Sequence, residues 1–67
     1  MRVRYETLDC GIRTMDTVLE ARNKFSALHE LLTSHGVQYD TNRFKEKAGW
    51  VQYTVGGMVY RTSTKFG

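Results

Sequence analysis

The sequence predicts an α+β fold: one amphipathic helix packed on one face of a small, mostly antiparallel sheet of three or four strands, in the order β-α-β-β-β. Three observations predict it. The opening MRVRYETL alternates apolar and charged side chains. From Thr14 onward the apolar residues recur at three- and four-residue steps. Residues 49–62, GWVQYTVGGMVYRT, form two alternating runs about a Gly-Gly pair.

Taken in order, Val3 and Tyr5 fall on one side of the first segment and Arg2, Arg4 and Glu6 on the other, the period-two signature of a half-buried strand. Asp9, Cys10 and Gly11 break it as a turn. Val18, Ala21, Phe25, Leu28 and Leu32 then make a helical stripe, flanked by Met15, Leu19 and Leu31, over about six turns. Thr14 is the expected cap with Asp16 in the first turn, while Thr17 and Glu20 match a capping box that would start the helix later. His35, Gly36 and Val37 supply the ending: a last-turn residue, a left-handed C-cap glycine and its hydrophobic contact.

VQYDTNRF, residues 37–44, is the expected second strand, with Val37 and Tyr39 inward. Phe44 points the opposite way, so an interruption belongs at Asp40-Thr41-Asn42. KEKAG is an exposed connection. With Gly56-Gly57 as the two loop residues of a primed turn, Val55 pairs with Met58, Tyr53 with Tyr60 and Val51 with Thr62 on the face that meets the helix. Thr54 with Val59, Gln52 with Arg61 and Trp50 with Ser63 share the other face. A slip of one residue would exchange the faces.

Length and composition bound the rest. Sixty-seven residues imply a single compact domain, 1–67, with a thin core, since a chain of this size buries only about 60% of its unfolded surface. No apolar run approaches the roughly 18 residues of a membrane span, and the N-terminus lacks the apolar stretch of a signal peptide, so the expectation is a cytoplasmic protein with no membrane partner. Cys10 is the one cysteine and cannot form an intramolecular disulfide. His29 and His35 are six apart, on different helical faces, with no completing ligands, so no metal and no cofactor is expected. A net charge of +3, from ten Lys and Arg against seven Asp and Glu, mildly favours anionic partners. Neither a local Ser-His-Asp set, nor a paired carboxylate site, nor GxxxxGK[ST] or GxGxxG is present, which argues against an enzyme.

The candidate binding residues are Arg2, Arg4, Trp50, Gln52, Arg61 and Lys65, which the register gathers on the uncovered outer face of the sheet. Tryptophan beside arginine is a combination that stacks bases, pairs with phosphate or anchors protein interfaces. The competing reading is packing: Trp50 folded over the sheet edge to shield Phe44 or the stem of Lys65, with the arginines keeping an edge soluble. Tyr5, Tyr39, Tyr53 and Tyr60 complete a thin core with their hydroxyls at its rim, and Met15 and Met58 fill it. Glu20, Arg22, Lys24 and Glu30 form a helix flank that reads most simply as a solvated face and could equally dock a partner.

The strand-helix-sheet order superficially resembles small toxin and double-stranded-RNA-binding folds, without the signatures of either. In size, and in its lack of catalytic sets, the chain is similar in style to accessory proteins of phages and mobile elements that bind and inhibit host machinery. The functional expectation is therefore a non-enzymatic binding module, an inhibitor or adaptor acting on a larger protein. The alternative is a nucleic-acid-binding module using the basic, aromatic face. A homodimer through an open sheet edge belongs to the same expectation.

Overall fold

The computed structural model describes residues 1–66 and has an α+β architecture in which one helix packs on a five-stranded antiparallel sheet. The elements are β1 (Arg2–Asp9), β2 (Ile12–Glu20), α1 (Lys24–Ser34), a 3-10 turn at Thr41–Arg43, β3 (Lys45–Lys47), β4 (Trp50–Val55) and β5 (Met58–Ser63). In space the strands run β2-β1-β5-β4-β3. The order along the chain is therefore β-β-α-β-β-β, one more strand than the upper expectation and with a strand where the first turns of the helix were expected.

The largest correction concerns residues 12–20. Val18 and Ala21 happen to continue the three- and four-residue spacing of the helix backward, but the segment is a strand. Cys10 and Gly11 both take positive φ, 51° and 85°, as the two loop residues of a primed hairpin turn do, and so send the chain straight back along β1. Ile12, Thr14, Thr17 and Val18 are β-branched and suit a strand better than a helix. Met15, Thr17 and Leu19 pair with Thr7, Tyr5 and Val3, so period two wins over period 3.6 once a partner strand is available. The cap is Asn23, whose side-chain oxygen accepts from the Ser26 N–H at 2.8 Å, rather than Thr14 or Thr17. Glu20 and Arg22 consequently lie outside the helix.

The helix ends as expected. Gly36 is left-handed at φ 67°, the Val37 N–H donates to the Leu32 carbonyl at 3.0 Å and the Gly36 N–H to Thr33 at 3.1 Å, the paired bonds of a Schellman ending. Residues 37–40 then run irregularly into the 3-10 turn, which Asp40 caps through the Asn42 N–H, so the expected strand over 37–44 does not form. The interruption foreseen at Asp40-Thr41-Asn42 is that turn. KEKAG, expected as a connection, holds β3, which pairs Lys45 with Gln52, Glu46 with Val51 and Lys47 with Trp50.

The β4–β5 hairpin has the register derived from Gly56-Gly57, all six pairs included, with Gly56 at φ 59°. Its helix-facing residues Val51, Tyr53, Tyr60 and Thr62 are buried with Val3 and Tyr5 of β1 under Ala27, Leu28, Leu31 and Leu32. Each leucine so buried contributes roughly 1.5–3 kcal/mol. The Thr62 hydroxyl donates to the Lys24 carbonyl at 2.6 Å, tying the first turn of the helix to the central strand. Tyr39, Phe44, Tyr53 and His29 pack edge-on and stacked at one end of this core, and His29 shares a 2.8 Å hydrogen bond with the Tyr39 hydroxyl. Val55 lies on the same face past the cover of the helix and is exposed, and Phe25, expected in the stripe, is exposed too.

Candidate functional site

Because one helix covers one face only, the opposite face of the sheet has no second layer among the described residues. The strand registers define two rows across it. One runs Asp16, Glu6, Arg61, Gln52, Lys45, and the other Val18, Arg4, Ser63, Trp50, Lys47. Arg4, Trp50, Gln52 and Arg61 are thus brought together, as the sequence suggested. The Arg61 guanidinium lies over the Trp50 ring with its carbon 5.0 Å from the ring centroid. It also donates twice to the Gln52 side-chain oxygen, from Nε at 3.0 Å and Nη2 at 2.8 Å. Those bonds hold a flexible side chain over the indole, which is partly exposed. Phe44 packs with Tyr39 and Tyr53 on the helix side, so shielding Phe44 is not the role of Trp50.

The charges on this face divide by strand. On the β1–β2 side Arg4 makes a two-pronged bond to Asp16, from Nε at 2.8 Å and Nη2 at 2.7 Å, and lies 3.8 Å from Glu6. Arg13 reaches Glu6 at 3.2 Å and Asp16 at 3.3 Å. The hydrogen bond to Asp16, reinforced by the charge of Glu6, raises the Arg4 pKa still further above its ordinary range. In return the bond from Arg4 holds the Asp16 carboxyl below the usual carboxylate range. Arg4 is therefore engaged inside the molecule and is not a free anchor. On the β3–β5 side no acid occupies either row, and Lys45, Lys47, Arg61 and Lys65 make no ion pair among the described residues. Glu46 is the β3 carboxylate; it pairs with Val51, on the helix side of the sheet, and reaches Lys24 at 3.0 Å.

The remaining candidates stand at the margin. Lys65 follows the end of β5, and its stem lies so close to Gly49 that a side chain at position 49 would collide with it. Arg2 is exposed two residues before Arg4 and lines a shallow hollow of about 350 Å³ with Val18 and Phe66. Lys45 and Lys47 were missed because KEKAG looks like a loop. The available signal was its ending: Ala48-Gly49 followed by the alternating run from Trp50 is a two-residue turn, with Gly49 at φ 89°. Arg13 and Asp16 were missed with the strand that carries them.

Among the described residues no group of three or more His, Cys, Asp or Glu side chains is placed to hold a metal ion, and no helix is long and apolar enough to cross a membrane. No family model matches the chain, and neither a curated protein nor a solved structure matches it. The surface itself carries whatever can be said of function.

Proposed function

We propose that this chain is a non-enzymatic binding module, an inhibitor or adaptor that docks on an acidic surface of a larger protein through the β3–β5 half of its outer sheet face. The observation that carries the reading is the Trp50–Arg61–Gln52 cluster on an uncovered face, flanked by Lys45 and Lys47 with no acid in the β3–β5 part of either row. Tryptophan and arginine dominate the energetics of protein interfaces, and here the arginine is already held in place, so little side-chain freedom is lost on docking. Unpaired cations around the cluster steer an acidic partner toward it.

Arg2, Arg4 and Lys65 take lesser parts in this reading. Arg4 organises the neighbouring ion pairs, while Arg2 and Lys65 extend the positive surface at its margin. Self-association through a sheet edge is a separate element of the reading, and it would leave the outer face of both copies free.

A second reading is nucleic-acid binding, favoured by the run of unpaired cations on one face beside a tryptophan. One experiment separates the two: affinity capture from a host lysate with and without nuclease, using the wild-type chain and the Trp50→Ala/Arg61→Ala double variant. A protein retained after nuclease and lost with the double variant, whose far-UV spectrum stays folded, is the expected result. Capture that disappears with nuclease transfers the function to nucleic acid, and capture unchanged in the double variant removes the site.

A further inference from the structure

The two edges of the sheet differ in a way that bears on self-association. β3 is three residues long and reads Lys-Glu-Lys, a short, charged edge of the kind that resists pairing. β2 is nine residues long, has no lysine and no proline, and leaves Ile12 71%, Leu19 50% and Val18 38% exposed. Its one irregularity is the bulge at Thr14, which leaves the stretch from Met15 to Glu20 regular. The helix lies over β1, β5 and β4. Beside β2 it leaves a groove of about 240 Å³ whose walls include Tyr5, Met15, Leu19 and Leu31.

We infer that β2 pairs antiparallel with β2 of a second copy about a two-fold axis at Thr17, joining two sheets of five strands into one of ten. Side-chain charge favours that register over its two nearest neighbours. Centring on Asp16 would set two Asp16 carboxylates opposite each other, and centring on Val18 would set Asp16 against Glu20; like charges directly opposite are unfavourable. Centring on Thr17 sets Asp16 against Val18 and Met15 against Leu19, the last pair closing the groove beside the helix from both copies. Arg13 lies at the bulge on the outer face, where it contacts Glu6 and Asp16. The same register sets Glu20 of each copy opposite Thr14 of the other, next to Arg13, with Glu20 also 3.3 Å from the Met1 ammonium of its own chain. An acid set next to an arginine at both ends, each extending an ion pair its own copy already makes, and apolar contact in the middle fit a second copy of this chain better than an arbitrary strand.

The axis stands perpendicular to the joined sheet, so both outer faces look the same way. The two β4 strands are then separated by seven strand spacings, about 34 Å at roughly 4.8 Å each. The Trp50–Arg61 cluster becomes a bivalent surface, in which the second contact is intramolecular once the first is made. This step rests on the proposed function; the dimer itself does not.

Sedimentation and light scattering should give twice the chain mass at micromolar to millimolar concentrations, and Leu19→Lys should halve it with an unchanged far-UV spectrum. In a Cys10→Ser background, Thr17→Cys should form an interchain disulfide on mild oxidation, because directly opposed residues of antiparallel strands lie within disulfide reach. Asp16→Cys should form little, being diagonal to its own copy. A wild-type monomer at millimolar concentration overturns the inference and leaves the edge to a strand of another protein. Cross-linking through Asp16 in preference to Thr17 overturns the register. Leu19→Lys leaves Trp50 and Arg61 untouched, so loss of the dimer and loss of partner capture are read separately.

Discussion

The two faces of this sheet are built from the same strands and held by opposite means. On the helix side, Val3, Tyr5, Val51, Tyr53, Tyr60 and Thr62 are buried because Leu28, Leu31 and Leu32 lie on them. On the outer side there is no second layer among the described residues, yet Glu6 and Ser63 are also buried. They are covered by the long side chains around them: Arg4 and Arg13 over Glu6, and Arg4, Arg61 and Trp50 around Ser63, as the rows of the sheet place them. Arginine stems and one indole thus serve as a thin polar roof. The contrast teaches that an uncovered face in a small domain need not be bare, and that its cations stay uncommitted where no internal acid faces them.

The sharpest way to break the contrast is to remove a helix side chain. Leu28 is fully buried at the centre of the helix footprint, and Leu28→Ala should cost about 2–5 kcal/mol through lost burial and the cavity left behind. A domain of 67 residues holds only roughly 3–10 kcal/mol in all, so urea unfolding should show most of the stability gone. A cost below about 1 kcal/mol would mean that the outer roof, and not the helix, dominates stability.

How much of this was legible in the sequence follows from the same contrast. The β4–β5 register, the faces it assigns and the Schellman ending were readable because each is set by a glycine within a few residues of what it controls. The Trp50–Arg61–Gln52 cluster came with that register. Strand β2 was not readable in the same way: Val18 and Ala21 continue the helical spacing backward, and only pairing with β1, set by the Cys10-Gly11 turn, decides for period two. A cysteine at φ 51° is an uncommon turn residue, so the hairpin signal was weak where it mattered most. The division of the outer face into paired and unpaired charges depends on Arg13 and Asp16 of that strand and on the lysines of β3. It could not be seen before those edges were placed.

A smaller effect sharpens the picture on the outer side. The stacking of Arg61 on Trp50 should appear as a coupling of about 0.5–1 kcal/mol in a double-mutant cycle of Trp50→Ala and Arg61→Ala, measured by thermal or urea unfolding. Because Gln52 also holds Arg61, the single Arg61→Ala variant loses more than the stacking, and only the cycle isolates it. Zero coupling would show a guanidinium held by Gln52 alone, with the indole a free platform. Such a result would favour base stacking over a prearranged protein contact.

The smallest effect lies in the paired half and is read by pH. Arg4 keeps the Asp16 carboxyl below its unfolded range, which begins from a pKa of about 3.9. A group depressed on folding stabilises the native state fully above its unfolded value and loses that stabilisation as pH falls through its folded value. Asp16→Asn removes the titrating group, so its unfolding midpoint should fall less steeply than that of the wild type below about pH 4. The two should differ by a near-constant offset at neutral pH. The Leu28→Ala variant keeps every carboxylate and should retain the wild-type slope, although displaced. Equal slopes for Asp16→Asn and wild type would mean that the two-pronged Arg4–Asp16 bond is screened away in water. The division of the outer face would then rest on the burial of Glu6 beneath its arginines rather than on paired charge.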